Sequence, residues 1–338
     1  MAPVVAIDAR DAYAPVLRGW GRYSRCLLGA LSLLDDVPFE LAALAGGARV
    51  PEVLFEQLVL PLELRSRRAS LVHATNCFLP LVRSCPGVVT IHDLAFEAWP
   101  DDFAPRTRWK YRTFARLAAY SAERVIVPSH STADDLVRRY GIDRDKIRVI
   151  AEAPALPAGT RVPPAYRYVL AIGDLRAKKN LGTLVRAFIR LRVEGYRLVL
   201  AGVDTGQGES LKRLAGRAPM QLTGYVNDAE LDALIRGAEL LVHPSLYEGF
   251  GLVVLEAMAR GTPVVVARAT SLPEAGGDAA AYFDPDSGGE LELAALLGEL
   301  LADPDRRAAM AARGRDWARG FTWERAARQT ADVYQELL

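Results

Sequence analysis

The sequence predicts an α/β protein built from two doubly wound, Rossmann-like domains facing each other across a cleft. Three observations carry this. Short apolar runs alternate with helix-period segments along the chain. Some runs, such as RLVLAG at 197–202 and PVVVAR at 263–268, are apolar throughout their interior, which suits parallel strands covered on both faces. Residues 153–164 hold four prolines and one glycine in twelve positions, so neither a helix nor a central strand can continue through them. We read 153–165 as a linker. A length of 338 residues agrees with two domains at about 150 residues each.

In the first domain, residues 1–152, strands are expected at 4–8, 71–74, 88–92, 124–128 and 147–150. Helices are expected between them at 20–34, 105–123 and 131–140. In the second, 166–320, strands are expected at 168–172, 197–201, 221–224, 240–243 and 263–267. Its helices are expected at 181–194, 210–217, 228–237 and 251–260, with Asn227 or Asp228 as a cap and Gly261 as a stop. Three helices close the chain, at 290–302, 305–319 and 322–338. Asp284-Pro-Asp286 and Asp303-Pro-Asp305 resemble a metal-binding D-x-D but read better as turns capping the following helices.

Composition removes several functional classes. Charged residues are 25% and the apolar set 51%, ordinary for a globular protein. With 42 basic and 41 acidic residues the net charge is +1, so nothing suggests nucleic acid. The longest stretch without a charged side chain is 14 residues, 69–82, where a spanning helix needs ~18. The start, MAPVVAIDARD, lacks the pattern of a secretory signal. Cys26, Cys77 and Cys85 have no CxxC spacing and suit a reducing cytoplasm. His73, His92, His130 and His243 are scattered, so no metal or other cofactor is expected. The segment 104–122 places Arg106, Arg108, Lys110, Arg112 and Arg116 among aromatic residues, a candidate for peripheral contact with the inner face of a membrane.

In doubly wound sheets ligands bind outside the carboxyl ends of the strands, so the chemistry is sought in the loops that follow them. Arg18-Gly19-Trp20-Gly21 precedes a helix, and Gly19 and Gly21 let the backbone approach a phosphate. His92-Asp93 ends a strand and is placed to reach a ligand. Arg176, Lys178 and Lys179 crowd a helix N-terminus, where they oppose the dipole; an anionic ligand explains them better than local stability does. In the segment 243–263, Glu248 precedes an apolar helix and suits a polyhydroxyl ligand. Phe250, Gly251 and Leu252 offer backbone amides, and Glu256 is a carboxylate among apolar neighbours that wants a hydroxyl partner. If both were helical, Glu248 and Glu256 would be ~12 Å apart, too far for a hydrolytic pair. Val226, beside Tyr225, suits a base pocket.

The strings GWGRY, VVTIHDLAF, VIVPSHSTADDL, GDLRAKKNL, LTGYVNDAEL and HPSLYEGFGLVVLEAMARGTPVV, in this order, resemble a retaining glycosyltransferase of family GT4 with the GT-B fold, a group that includes many bacterial mannosyltransferases. The resemblance spans about residues 5–335. It implies a nucleoside-diphosphate-sugar donor, a hydroxyl acceptor and no metal. By it, Glu248 contacts sugar hydroxyls and Glu256 the ribose, while Lys179 and the backbone of 250–252 hold the diphosphate. Gly21 faces the diphosphate, Val226 meets the base, His92 lies near the anomeric carbon, and the last helix crosses back onto the first domain. Many family members carry an arginine where this chain has Asp174; Arg176 or Lys178 is left to supply that cation. GDP-mannose is favoured as donor, with a UDP-hexose behind it and a nucleotide-sugar epimerase or hydrolase as the rival reading.

Overall fold

The computed structural model describes residues 2–14, 17, 19–46, 51–157, 159, 165–286 and 288–338. Arg18 and residues 160–164 of the linker lie outside them. The chain divides into two compact units, Met1–Ala155 with Phe321–Leu338, and Leu156–Gly320. Among the described residues, no helix is long and apolar enough to cross a membrane.

In the first unit the described strands are β1 (Val4–Asp8), β2 (Glu40–Leu44), β3 (Leu71–Ala74), β4 (Gly87–Thr90), β5 (Arg124–Val127) and β6 (Ile147–Val149). They form one sheet in the order β2-β1-β3-β4-β5-β6, and every pairing is parallel. The chain leaves β1 to one side and returns on the other, so the sheet's switch point lies between β1 and β3, where Asp8 stands opposite Ala74. Alternation sorts the core: Ala6, Val72 and Val89 face one layer of helices, Val5, Ile7 and Leu71 the other. The last helix, Trp323–Gln335, belongs to that second layer, where it buries Ala327, Ala331 and Tyr334. Glu336 just beyond it pairs with Arg124 at 2.7 Å and Arg148 at 2.6 Å.

In the second unit the described strands are β7 (Arg167–Ile172), β8 (Tyr196–Ala201), β9 (Met220–Gly224), β10 (Leu240–His243), β11 (Val264–Ala267) and β12 (Ala281–Phe283). Their order is β12-β11-β10-β7-β8-β9, again all parallel. Here the switch point falls between β7 and β10, which sets the loops 173–180 and 244–251 side by side.

The structure adds β2, β12 and a helical stretch over 52–66 to the expected elements. The edge strands are short and partly exposed, and the Ala-rich ELAAL of β2 has little β propensity. The helical stretch contains Pro61, which sits in the first turn of Leu60–Ser66 after a π-helical turn at Phe55–Val59, where its missing N–H is tolerated. Two expected boundaries are corrected. β4 ends at Thr90, two residues before His92, although the Ile91 amide still bonds the Ile126 carbonyl at 2.9 Å. The first long helix starts at Gly19, so Gly19 and Gly21 form its first turn and not the loop ahead of it.

Candidate active site

The loops at the second switch point bring together groups 69 residues apart. The turn Ala177–Lys179 is closed by Asn180, whose φ of +52° is in the left-handed region that asparagine tolerates. The Lys178 carbonyl accepts the Leu246 amide at 2.8 Å, which ties this turn to the loop after β10. Lys179 Nζ then lies 2.5 Å from Glu248 Oε1, and Lys178 Nζ 3.9 Å from Oε2. His243, at the end of β10, places Nε2 2.9 Å from the same Oε1. Since a carboxylate only accepts, His243 donates from Nε2.

The electrostatics follow from this packing. Burial alone would raise the Glu248 carboxyl, but Lys179, Lys178 and the His243 hydrogen bond reverse it and hold the group well below the usual carboxylate range. Burial pushes His243 down, so it stays neutral. Two ammonium groups around one carboxylate leave a net positive charge. Beside it starts the helix Leu252–Ala259, capped by Gly251 at φ +113°, a conformation L side chains rarely adopt. An anion-favouring helix end and two lysines thus occupy one corner. Glu248 is further fixed from β11's loop: its amide donates to Thr270 Oγ1 at 3.0 Å, and the single Ser271 hydroxyl proton is shared between the Glu248 and Phe250 carbonyls, each 2.9 Å from Oγ.

Of the two residues offered to replace the family arginine, Lys178 is the one beside Glu248; Arg176 turns toward Asp174, 3.9 Å away. Glu256 is corrected in one respect. It is not a buried carboxylate short of a partner: Oε2 is bonded by Arg260 Nη1 at 2.5 Å and Oε1 by the Leu156 amide at 2.8 Å. Arg260 also donates to Asp232 Oδ1, at 2.5 Å. Phe250 is buried, while Val226 is half-buried beside Asn227, which forms a capping box with Glu230.

In the first unit His92 is half-buried, with Nδ1 2.8 Å from Glu152 Oε1 and Nε2 3.0 Å from the Thr75 carbonyl. Both partners are acceptors, so both ring nitrogens donate. Burial works against the resulting imidazolium, but Glu152 and the Thr75 carbonyl outweigh it and raise the His92 pKa. In this arrangement His92 has no lone pair with which to take a proton. Asp93 Oδ1 accepts the Ala95 amide at 2.9 Å. Gly21 is packed against the turn at Arg10–Tyr13: a Cβ there would come 2.7 Å from the Asp11 carbonyl oxygen, whereas Gly19 faces open space. Among the described residues, no group of side chains that could hold a metal ion is found.

Sequence reasoning missed His243, Thr270, Ser271 and Glu152 as members of these clusters. His243 left a signal, a histidine ending a strand five residues before Glu248. The others come from loops that only folding brings near.

The fold of two parallel six-stranded sheets matches solved glycosyltransferases. Anabaena HepE in complex with UDP-glucose aligns with a TM-score of 0.72 and 21% identity over 100% of both chains. The fold and site define a glycosyltransferase of the GT-B class. The family model Glycosyltransferase Family 4 matches residues 35–152, and Glycosyl transferases group 1 matches 154–317. O-antigen chain mannosyltransferase B of Escherichia coli is 32% identical over 81% of this chain and 76% of its own length. The D-inositol 3-phosphate glycosyltransferase of Salinispora tropica is 32% identical over 64% of this chain, which spans about half (51%) of that relative. The chain belongs to the glycosyltransferases, with a Glycosyltransferase Family 4 domain followed by a Glycosyl transferases group 1 domain.

Proposed function

We propose that the protein transfers a hexosyl group from a nucleoside-diphosphate sugar to a hydroxyl acceptor, with retention at the anomeric carbon and without a metal. The observation that carries this is Glu248, ionised and gripped by Lys179, Lys178 and His243 next to a helix N-terminus. As the glycosidic bond breaks, the leaving diphosphate gathers negative charge. Lys179, Lys178 and the amides of 250–252 stabilise it, at ~3–4 kcal/mol for a strong donor. Glu248 orients sugar hydroxyls, Glu256 meets the ribose and the Val226 backbone the base. Gly19, Gly21 and Asp93 contact the substrates, Gly21 on the diphosphate side, and His92 lies near the anomeric carbon, acting through its charge and not as a base. Retention follows if the acceptor attacks from the face the diphosphate leaves.

The Escherichia coli mannosyltransferase supports a mannosyl donor, which this reading takes as GDP-mannose, with a UDP-hexose as the alternative. A thermal-shift series with GDP, UDP, ADP and dTDP decides between them, since a ligand that binds only the folded chain raises its melting temperature. Stabilisation by none of the four would defeat the reading, and donor consumption at full rate without acceptor would favour a hydrolase or epimerase. Glu248→Ala is expected to weaken binding of the intact donor at least ~10-fold more than binding of the free nucleoside diphosphate. Equal losses would make the residue structural. EDTA is expected to leave turnover unchanged; loss restored by manganese would contradict a metal-free reaction.

The same reading extends to a membrane surface. Helix Pro105–Ser121 carries five cations and no acidic residue, and Trp109 on it is 64% exposed. Co-flotation with acidic lipid vesicles at low salt is the expected outcome, and absence of co-flotation excludes the contact.

A further inference from the structure

The first sheet has a switch point of its own, between β1 and β3, and the donor-side assignment makes no use of it. A cavity of about 40 Å3 lies there, lined among others by Asp8, Arg10, Asp11, Glu56, Thr75 and Asn76. Glu52 also lines it, so its described lining holds four carboxylates against one guanidinium. Lys110 pairs with Glu52 from outside that lining. Arg10 is held by two of the carboxylates. Its Nε and Nη2 bond Asp8 Oδ1 and Oδ2 at 2.9 and 2.6 Å, and Nη2 also reaches Glu56 Oε1 at 2.9 Å. The guanidinium is held over the Phe55 ring, 4.4 Å from its centroid.

Glu56 itself is 1% exposed, and its second oxygen, Oε2, is buried with no hydrogen-bond partner among the described residues. A buried carboxylate oxygen is costly to leave unpaired, so this one calls for a donor. The polar groups nearby do not supply it. Asn76 Oδ1 accepts the Cys77 amide at 2.8 Å, and its Nδ2 donates to Asp11 Oδ2 at 3.2 Å. Burial pushes the Glu56 carboxyl up to about 8 and also raises Asp11, so with the cavity empty Glu56 keeps its proton at neutral pH, and a bound cation draws that proton off and holds the carboxylate ionised. With Glu56 ionised the cavity is rich in acceptors and small. An ammonium head group has three donors, unit charge and a compact shape. The pocket adjoins His92, because Thr75, one of its walls, offers its carbonyl to His92 Nε2 at 3.0 Å.

We propose that this cavity binds the ammonium group of an amine-bearing sugar, with Glu56 Oε2 as its principal receptor and Asp11 assisting. That the sugar is the acceptor rests on the transferase reading; the ammonium pocket does not. The test measures binding to the full chain by ligand-observed NMR with three probes: the methyl glycoside of glucosamine, its N-acetyl counterpart and methyl glucoside. The amine is expected to bind at least about tenfold tighter than the other two, a preference that Glu56→Gln abolishes. Asp11→Asn, the second variant in case Glu56→Gln does not fold, is expected to reduce the preference at least about threefold. Equal binding of the three probes, binding of none, or a preference that survives in a folded Glu56→Gln protein overturns the proposal. Release of nucleoside diphosphate from the donor is followed separately. A preference that depends on Glu56 in a chain that never turns over donor keeps the pocket and removes the transferase reading.

Discussion

Lys179→Ala is expected to lower turnover at least ~100-fold while the protein stays folded. The expected loss is large because, on the proposed reading, Lys179 acts where charge develops; it also positions Glu248, whose Oε1 lies 2.5 Å from Nζ. The fold survives because Glu248 is not orphaned: His243 still donates to Oε1, and Lys178 Nζ remains 3.9 Å from Oε2. Release of nucleoside diphosphate measures the rate, and circular dichroism checks the fold. Near-normal turnover would take Lys179 out of the chemistry. Lys179→Arg, which keeps the charge but changes its geometry, is expected to recover part of the rate.

Arg260→Ala is expected to destabilise the protein by about 3–5 kcal/mol. The Arg260 side chain is 5% exposed and holds three segments together. Besides Asp232 and Glu256 it bonds the Leu156 carbonyl at 2.8 Å, which fixes the residue that opens the second unit. Truncation leaves Glu256, 4% exposed, with only the Leu156 amide among the partners described above, and a buried carboxylate without its cation is costly. Asp232 is protected in part, since Arg236 Nε and the Gly159 amide still reach it at 2.8 and 3.0 Å. Urea unfolding measures the effect, and a loss under about 1 kcal/mol would show the network to be weak. Because Arg260 sets the Glu256 rotamer, nucleotide binding should fall in the folded fraction as well; unchanged binding would remove Glu256 from the ribose.

The fold class and the donor-side loops were legible because their signals are local. VVVA and LLVH are apolar on both faces, so they announce central parallel strands wherever they sit. Lys178 and Lys179 were legible because like charges at a helix N-terminus oppose its dipole and ask for another explanation. Glu256 shows the limit of such reasoning. Its place in an apolar helix correctly suggests a partner, and Arg260, just past the end of that helix and visible in the sequence, is one that needs no ligand. β2 was illegible because an edge strand with one partner gains less from apolar side chains, so ELAAL carries no strand pattern.

By itself the sequence determined which loops carry charge and candidate ligand-binding groups, because strand ends, glycine turns and helix starts are written within a few residues. Only the tertiary structure decided which of those loops meet. Strand order depends on pairings between distant segments, and placing β7 between β8 and β10 is what sets Lys179 against Glu248 across 69 residues of chain. The same physics placed β1 beside β3 and buried Glu56 near Thr75, a neighbourhood that no local pattern foretells.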